Sequence, residues 1–341
     1  MLRIQIYTRK DIYDLKLYSK VTLIVGLSGV QKTQMIKRIF ENNPAVKKVI
    51  SNLDYTPVFL TESTWHNAME SVDKKCVYFV DDEDFILEPE FIELYNKNKT
   101  SYFVYVNRIG AGVSYDIRDI YTLNNVNGHH SLQQKYTLDT RLNIRCKTFT
   151  EDEGSGLTWF KQLMPDCKSM HGVPNVSKFI LDLPMGLEVN MVIDLFGMGY
   201  YASSIFECIA LRNINVHFAE QYGSFEYLLL RTNLFRYVLS EDDILSSGSK
   251  EIACEKILDR LTKGKYYKYD KTSNLNFCYY KDCCAKSRKD KCDRGLSGDK
   301  IKAMLINTEF EYLLNLRLEH DNEPQTAGET KEEHIAKCQD N

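Results

Sequence analysis

Nothing in the 341 residues approaches the roughly 18–20 consecutive apolar residues that cross a bilayer. The sequence therefore predicts no membrane-spanning helix and no membrane partner. Residues 1–10 lack the long apolar core of a secretory leader, so the simplest compartment is the cytoplasm. Excess positive charge is missing too. The formal net charge is −3, which gives the molecule as a whole no electrostatic case for nucleic acid, while a local basic patch stays open. There is no internal repeat, and no Ser–His–Asp arrangement can be argued from order along the chain.

What is present reads as an ordinary globular chain, 43% hydrophobic and 27% charged. Its length suits two or three domains of roughly 100–200 residues each. Of the ten cysteines, Cys76, Cys146, Cys167, Cys208, Cys254 and Cys338 are scattered, and most have apolar neighbours. In a cytosolic protein they read as reduced, buried thiols.

The first third alternates apolar runs with helical patterns. Val21–Val25 is a β-branched run, and Lys32–Phe40 carries Met35, Ile36 and Ile39 at helical spacing. Strand patterns follow at 49–50, 58–60, 76–80 and 102–106, with a helical pattern at 91–95. Strands separated by helices predict a parallel α/β sheet. Periodicity fades between 110 and 142, where a polar connector and a domain boundary are expected. His129 and His130 fall there and read as a solvated loop.

A second α/β pattern runs from 144 to 235, with strands at 144–149, 189–193 and 214–218 and helices at 157–164, 203–211 and 224–235. Trp159-Phe160 and Tyr200-Tyr201 read as core. The expected division is a nucleotide-binding domain at 1–115, a connector at 116–142 and an α/β domain at 143–240. A Lys/Tyr/Cys-rich helical extension follows at 241–318, its last helix at 299–316. An acidic tail at 319–341, without aromatics, has the composition of disorder.

The segment Gly26-Leu27-Ser28-Gly29-Val30-Gln31-Lys32-Thr33 has the layout of a phosphate-binding loop. It follows an apolar strand and opens a helix, the context that gives the motif meaning. Glycines let main-chain N–H groups curl around phosphate oxygens, and a helix N-terminus adds partial positive charge. Lys32 would meet the β- and γ-phosphates, and the Thr33 hydroxyl would ligate Mg²⁺. Gln31 stands where the motif has glycine, which puts affinity and still more hydrolysis in question. A strand–loop–helix that binds nothing shares the same outline.

Asp81 ends an apolar run and would serve the same Mg²⁺ through water, with Asp82 or Glu83 orienting the attacking water. A solvated acidic turn would read the same in isolation. Asn107 ends the next strand, where a polar residue senses the γ-phosphate in AAA-type ATPases; a plain loop residue is the alternative. Residues 20–108 thus resemble a compact P-loop NTPase, without an ABC-type signature or a clear arginine finger. The resemblance implies ATP or GTP with Mg²⁺, and a homo-oligomer in cases where a neighbouring subunit completes the site.

Three middle strands end in carboxylates: Glu151 with Asp152, then Asp194, then Glu220. In a parallel sheet such ends share one edge, where hard oxygen ligands could hold Mg²⁺ for attack on a phosphodiester. Ordinary acidic strand ends are the alternative. The pattern resembles the Toprim fold of topoisomerases, primases and OLD-family (overcoming lysogenization defect) nucleases. Glu151 matches that fold's glutamate and Asp194 its first aspartate. Phe196 replaces the second aspartate, and Asp152 the glycine after the glutamate. Together with Ser224 through Leu230, these segments are similar to a group of uncharacterised bacterial two-part proteins. Glu151 and Asp194 are the catalytic candidates the resemblance implies.

Cys278, Cys283, Cys284 and Cys292 give C-x4-C-C-x7-C, a set that suits tetrahedral Zn²⁺ or remains free thiols. Basic residues from Lys281 to Arg294 and tyrosines from Tyr266 to Tyr280 surround it. They read either as a DNA or RNA contact or as a solvated charged face. The resulting expectation is an ATPase or GTPase coupled to a Toprim-like domain that cleaves or binds nucleic acid, in phage or mobile-element defence. A non-hydrolysing switch that controls a partner, and a nucleic-acid-binding module with inactive sites, are the two rivals.

Overall fold

A computed structural model describes residues 1–26, 31–70, 74–107, 111–153, 155–219, 222–262 and 298–314. The architecture is α/β, with one large mixed sheet, a smaller parallel sheet, and helices. Among the described residues no helix is long and apolar enough to cross a membrane.

The large sheet uses β1 (Leu2–Tyr7), β2 (Ile12–Leu17), β3 (Val21–Val25), then α1 (Lys32–Phe40), β4 (Lys47–Ile50) and β5 (Thr56–Leu60). It continues with α2 (Trp65–Met69), β6 (Cys76–Asp81), α3 (Pro89–Lys97), β7 (Tyr102–Val106), β8 (Ile120–Val126) and β9 (His129–Gln134). The strand order is β4-β1-β2-β9-β8-β3-β7-β6-β5. From β8 to β5 every pairing is parallel, as is β2 with β9, while β1 with β2, β1 with β4 and the β8–β9 hairpin are antiparallel.

Helices cover both faces of the parallel part, which is why its strands read as unbroken apolar runs. On one face Ile24, Val77, Phe79 and Val104 meet Met35, Ile36 and Ile39 of α1. On the other, Leu23, Tyr78, Val80, Phe103 and Tyr105 pack with Trp65 of α2 and with Phe91 and Tyr95 of α3. Lys20, just before β3, is 1% exposed. Its ammonium donates to the carbonyls of Tyr95 at 3.0 Å and Asn98 at 2.5 Å, so the buried donor is satisfied.

The second sheet uses β10 (Lys147–Thr150), α4 (Ser155–Lys161), β11 (Lys168–Ser169), α5 (Val176–Asp182), β12 (Glu188–Val192), α6 (Ala202–Arg212) and β13 (Asn215–Phe218). Its order is β11-β10-β12-β13, all parallel. The helices α7 (Phe225–Arg231), α8 (Glu241–Ser247), α9 (Lys250–Leu261) and α10 (Gly298–Leu305) follow. Leu228 to Leu230, Ile257, Leu258 and Ile301 close an apolar core with Trp159, Phe160 and Val192.

Several expectations change. The polar stretch placed as a connector is in fact a hairpin that completes the large sheet. Its turn uses Asn127 and Gly128, both at positive φ, 52° and 81°. That pairing suits the twist of a two-residue hairpin. His130 is not solvated: it is 1% exposed and stacks on Tyr13 with ring centroids 4.3 Å apart. Tyr200 is surface, 68% exposed, whereas Trp159 and Phe160 are core. The last helix ends at Leu305 rather than 316. Lys250–Leu261, within the expected helical extension, is a helix capped by Ser249 that packs into the second unit's core.

Candidate functional site

The phosphate-loop candidates meet at the C-terminal ends of β3, β6 and β7. Those strands pair in parallel register, Ile24 against Val106 and Asp81 against Val106. The strand β7 lies between the other two, so Asn107 emerges between the loop and Asp81. Asn107 is 3% exposed. Ser28, Gly29 and Val30 lie outside the described residues. Gly26 and Gln31 to Thr33 flank them in the chain. The ammonium of Lys32 donates to the Gly26 carbonyl at 2.6 Å, from one side of the loop to the other.

Thr33 and Asp81 line one cavity, which brings the two motifs together. Burial raises the Asp81 carboxyl above the usual range, and Asp82 adds to this, while Thr33 and Lys32 pull it down. A cavity of about 360 Å³ opens beside the pair, lined by Thr33, Ile36, Lys37, Phe40, Phe59 and Asp81. Asp82 is exposed, in the left-handed region at φ 54°, and its N–H donates to the Val106 carbonyl at 2.8 Å. Glu83 is half-buried, and its carboxyl is raised by desolvation and by Glu62, Asp81 and Asp84.

Gln31 sits immediately before α1 with φ 61° and ψ 20°. This is the left-handed region, where a side chain clashes with its own backbone. The motif's usual glycine is absent, yet the backbone still takes the shape that glycine would favour. The Gln31 carbonyl oxygen of the side chain accepts from the Tyr13 hydroxyl at 3.4 Å.

The second acidic group forms at the C-terminal edge of the small sheet. Thr150 and Val192 are in register, so Glu151 and Asp194 leave neighbouring strands side by side. The Asp194 N–H donates to Glu151 Oε1 at 2.6 Å. Asp194 Oδ1 accepts from the N–H groups of Phe196 at 2.9 Å and Gly197 at 3.2 Å, which fixes the turn. Asp152 accepts from the Thr150 hydroxyl at 3.1 Å and the Tyr222 hydroxyl at 3.4 Å. Gly156 lets α4 come close, since a Cβ there would meet the Asp152 side chain at 2.4 Å.

Burial pushes the Glu151 carboxyl up to about 8, with Asp152 and Glu251 adding to the shift. Asp194 is raised well above the usual range, by burial and then by Glu151, Glu251 and Glu226. The charges acting most strongly on this pair are all carboxylates. Such a group suits a hard divalent cation, which would favour the ionised forms. Glu151, Asp152 and Asp194 do not close into a three-ligand group among the described residues. Mg²⁺ held there would keep several waters, as that ion generally does.

The residues missed in the sequence are Glu251, Glu226 and Tyr222. Glu251 lies in the first turn of α9, and its Oε2 accepts from the Ser114 hydroxyl at 2.8 Å. The available signal was a capping serine, Ser249, opening a helical apolar pattern. Glu220 lies outside the described residues, as do Cys278, Cys283, Cys284 and Cys292 and the basic and tyrosine run around them. Phe196 is no ligand: it is 4% exposed and packs between Tyr227 and the cations of Arg118 and Lys250.

Comparison with family models, curated proteins and solved structures finds no match to this chain.

Proposed function

We propose that the chain binds ATP or GTP with Mg²⁺ at the loop from Gly26 to Thr33 and hydrolyses it, and that this is coupled to a Toprim-like sheet that cleaves or binds nucleic acid. The observation that carries the nucleotide reading is that Thr33 and Asp81 line one cavity beside the loop, with Lys32 reaching across to Gly26. A hydroxyl on the helix and a carboxylate on a separate strand meet where a phosphate-bound cation would lie. Lys32 would leave the Gly26 carbonyl to neutralise phosphate. Thr33 and Asp81 would hold the metal, Asn107 would face the terminal phosphate, and Asp82 or Glu83 would orient water.

The Toprim-like half rests on the Glu151–Asp194 pair, whose raised carboxyls favour a divalent cation. Mg²⁺ would supply the positive charge that stabilises an in-line displacement at phosphorus. Titration of nucleotide with and without Mg²⁺, followed by phosphate release, tests the first half. Binding of ATP or GTP should require Lys32, and Lys32→Ala should abolish turnover; calorimetry silent with every nucleoside triphosphate rejects it. Mg²⁺-dependent cleavage that persists unchanged in Asp194→Asn rejects the second half.

Gln31 supports a second reading, a switch that binds nucleotide without turnover. Gln31 keeps the backbone shape that glycine favours but adds a side chain where the motif has none. Stoichiometric binding with no phosphate release distinguishes the switch from the enzyme.

A further inference from the structure

The opposite, N-terminal edge of the small sheet carries a group of different chemistry. Cys146 stands one residue before β10, Glu188 opens β12, and His217 lies within β13. The register aligns these strand beginnings, Lys147 against Val189 and Glu188 against Asn215. One ligand atom from each of Cys146, Glu188 and His217 lies within 4.8 Å of the other two. Glu188 Oε1 is 2.6 Å from His217 Nε2 and accepts from the Asn143 side-chain amide at 2.9 Å.

The surroundings hold these groups in place. Asn190 is fully buried, and its amide donates to the carbonyls of Asn143 at 2.7 Å and Cys146 at 3.3 Å. The Asp139 carbonyl accepts from the Phe218 N–H at 2.6 Å, which pins Asp139 alongside β13. The Asp139 carboxylate then lies 3.1 Å from His217 Nδ1. That nitrogen is buried and makes no aligned hydrogen bond, so a small rotation of the ring would satisfy it.

We propose that Cys146, Glu188 and His217 bind one borderline-soft divalent cation of the Zn²⁺ class, with Asp139 orienting the imidazole from outside. Thiolate, imidazole and a single carboxylate form a donor set that such ions favour and Mg²⁺ does not. Three protein ligands leave one tetrahedral position for water. Glu188, whose side chain is 44% exposed, gives the ion a route in. An Asp139 carboxylate on Nδ1 sets the tautomer that presents the Nε2 lone pair to the metal. Binding displaces the thiol proton of Cys146 to solvent, so affinity rises with pH. The competing arrangement is an imidazolium clamped between Asp139 and Glu188, in which Cys146 takes no part. The thiol therefore decides between them.

The test uses Co²⁺ as a spectroscopic probe on the full chain carrying serine at Cys278, Cys283, Cys284 and Cys292, so that their thiolates cannot contribute. The expected result is one Co²⁺ per chain, with thiolate-to-cobalt charge-transfer absorption that Zn²⁺ abolishes by displacement. Adding Cys146→Ser should remove that absorption, and circular dichroism should confirm that the variant is folded. Asp139→Asn should keep the absorption but weaken affinity about 10–100-fold. Absence of the charge-transfer band, or its persistence in Cys146→Ser, overturns the proposal in favour of the imidazolium clamp.

Discussion

Replacing Gln31 with glycine should stabilise the protein, although it removes a side chain and a hydrogen bond. The residue is held at φ 61°, ψ 20°. For an L-residue the left-handed region costs about 1–2 kcal/mol, and glycine pays none of this. Against that, glycine gives the unfolded chain more freedom, worth about 0.4–1 kcal/mol. The Tyr13 contact, at 3.4 Å, is too long to add much. The balance is a gain of about 0.5–1 kcal/mol, or about 1–3 °C in Tm for a chain of this size. Alanine is the control. It removes the same side-chain contact but keeps a Cβ, so Gln31→Ala should be neutral or slightly destabilising. Scanning calorimetry on all three proteins without nucleotide gives the answer. Nucleotide titration then separates two causes of weak binding. If backbone strain is responsible, only Gln31→Gly tightens ATP; if crowding is responsible, Gln31→Ala tightens it equally. A glycine variant no more stable than the alanine variant refutes the strain argument.

Raising the pH should destabilise the cation-free protein. A carboxyl held up to about 8 in the fold, as Glu151 is, binds its proton more tightly there than in the unfolded chain. Its stabilisation is present below the unfolded value and is lost as pH climbs through 8, with a slope of at most about 1.4 kcal/mol per pH unit. Asp194 acts with the same sign, and so does Asp119 up to about 6, which leaves pH 6–8 as the diagnostic window. Urea melts across that window should show the fall, Mg²⁺ should offset it at the upper end, and Asp194→Asn should make it shallower by removing one of the two carboxyls; a flat wild-type profile rejects the assignment. Gly199→Ala should cost about 1–3 kcal/mol, because a Cβ there would lie 2.4 Å from the Tyr115 carbonyl oxygen and 2.3 Å from its ring. A melt unchanged by that substitution means the 111–119 segment is not docked where it is described.

The central strands were legible because burial on both faces removes alternation. Val21–Val25 and Tyr102–Val106 were read with their observed ends. Lys32–Phe40 was equally clear from Met35, Ile36 and Ile39. The strands β1 and β2 escape notice for the opposite reason. β1 alternates Leu2, Ile4 and Ile6 with polar or amphipathic residues, a period-2 pattern that is short and interrupted by charge. The hairpin β8–β9 reads as a connector because the half nearest its turn, from Asn124 to Gln134, is mostly polar, although Asn127-Gly128 is a strong turn signal. For the acidic group, Glu151 and Asp194 were visible as strand ends. Glu251 was not, because it arrives from a helix 57 positions beyond Asp194 in the numbering, and only tertiary packing brings it there. Phe196 stands where the resemblance has an aspartate, and its local sequence gives no hint of the cations that cover it.

Those cations show how the two units are joined. Asp116, 2% exposed, accepts from Lys250 at 2.9 Å and pairs with Arg118 at 2.8 Å. Asp119 is 3.4 Å from Lys250 and accepts from the Ser19 hydroxyl at 2.8 Å. Burial, partly countered by Lys250, holds Asp119 up to about 6. Lys250 and Glu251 are consecutive, so one turn of α9 grips the 116–119 segment and also supplies a carboxylate beside Asp194. Lys250→Met keeps the apolar stem and removes the charge. Uncompensated buried carboxylates commonly cost about 3–5 kcal/mol, but Arg118 still pairs with Asp116, so about 2–3 kcal/mol is expected. The loss should depend on pH in a particular sense. Without Lys250 the Asp119 carboxyl rises further; it is neutral at pH 5 and must either ionise unpaired or hold its proton against solution at pH 8. Denaturant melts should therefore show a larger penalty at pH 8 than at pH 5, and Asp119→Asn in the same chain should remove that difference. An equal penalty at both pH values would mean that Lys250 acts through Asp116 or through packing, and that Asp119 is not the group it holds.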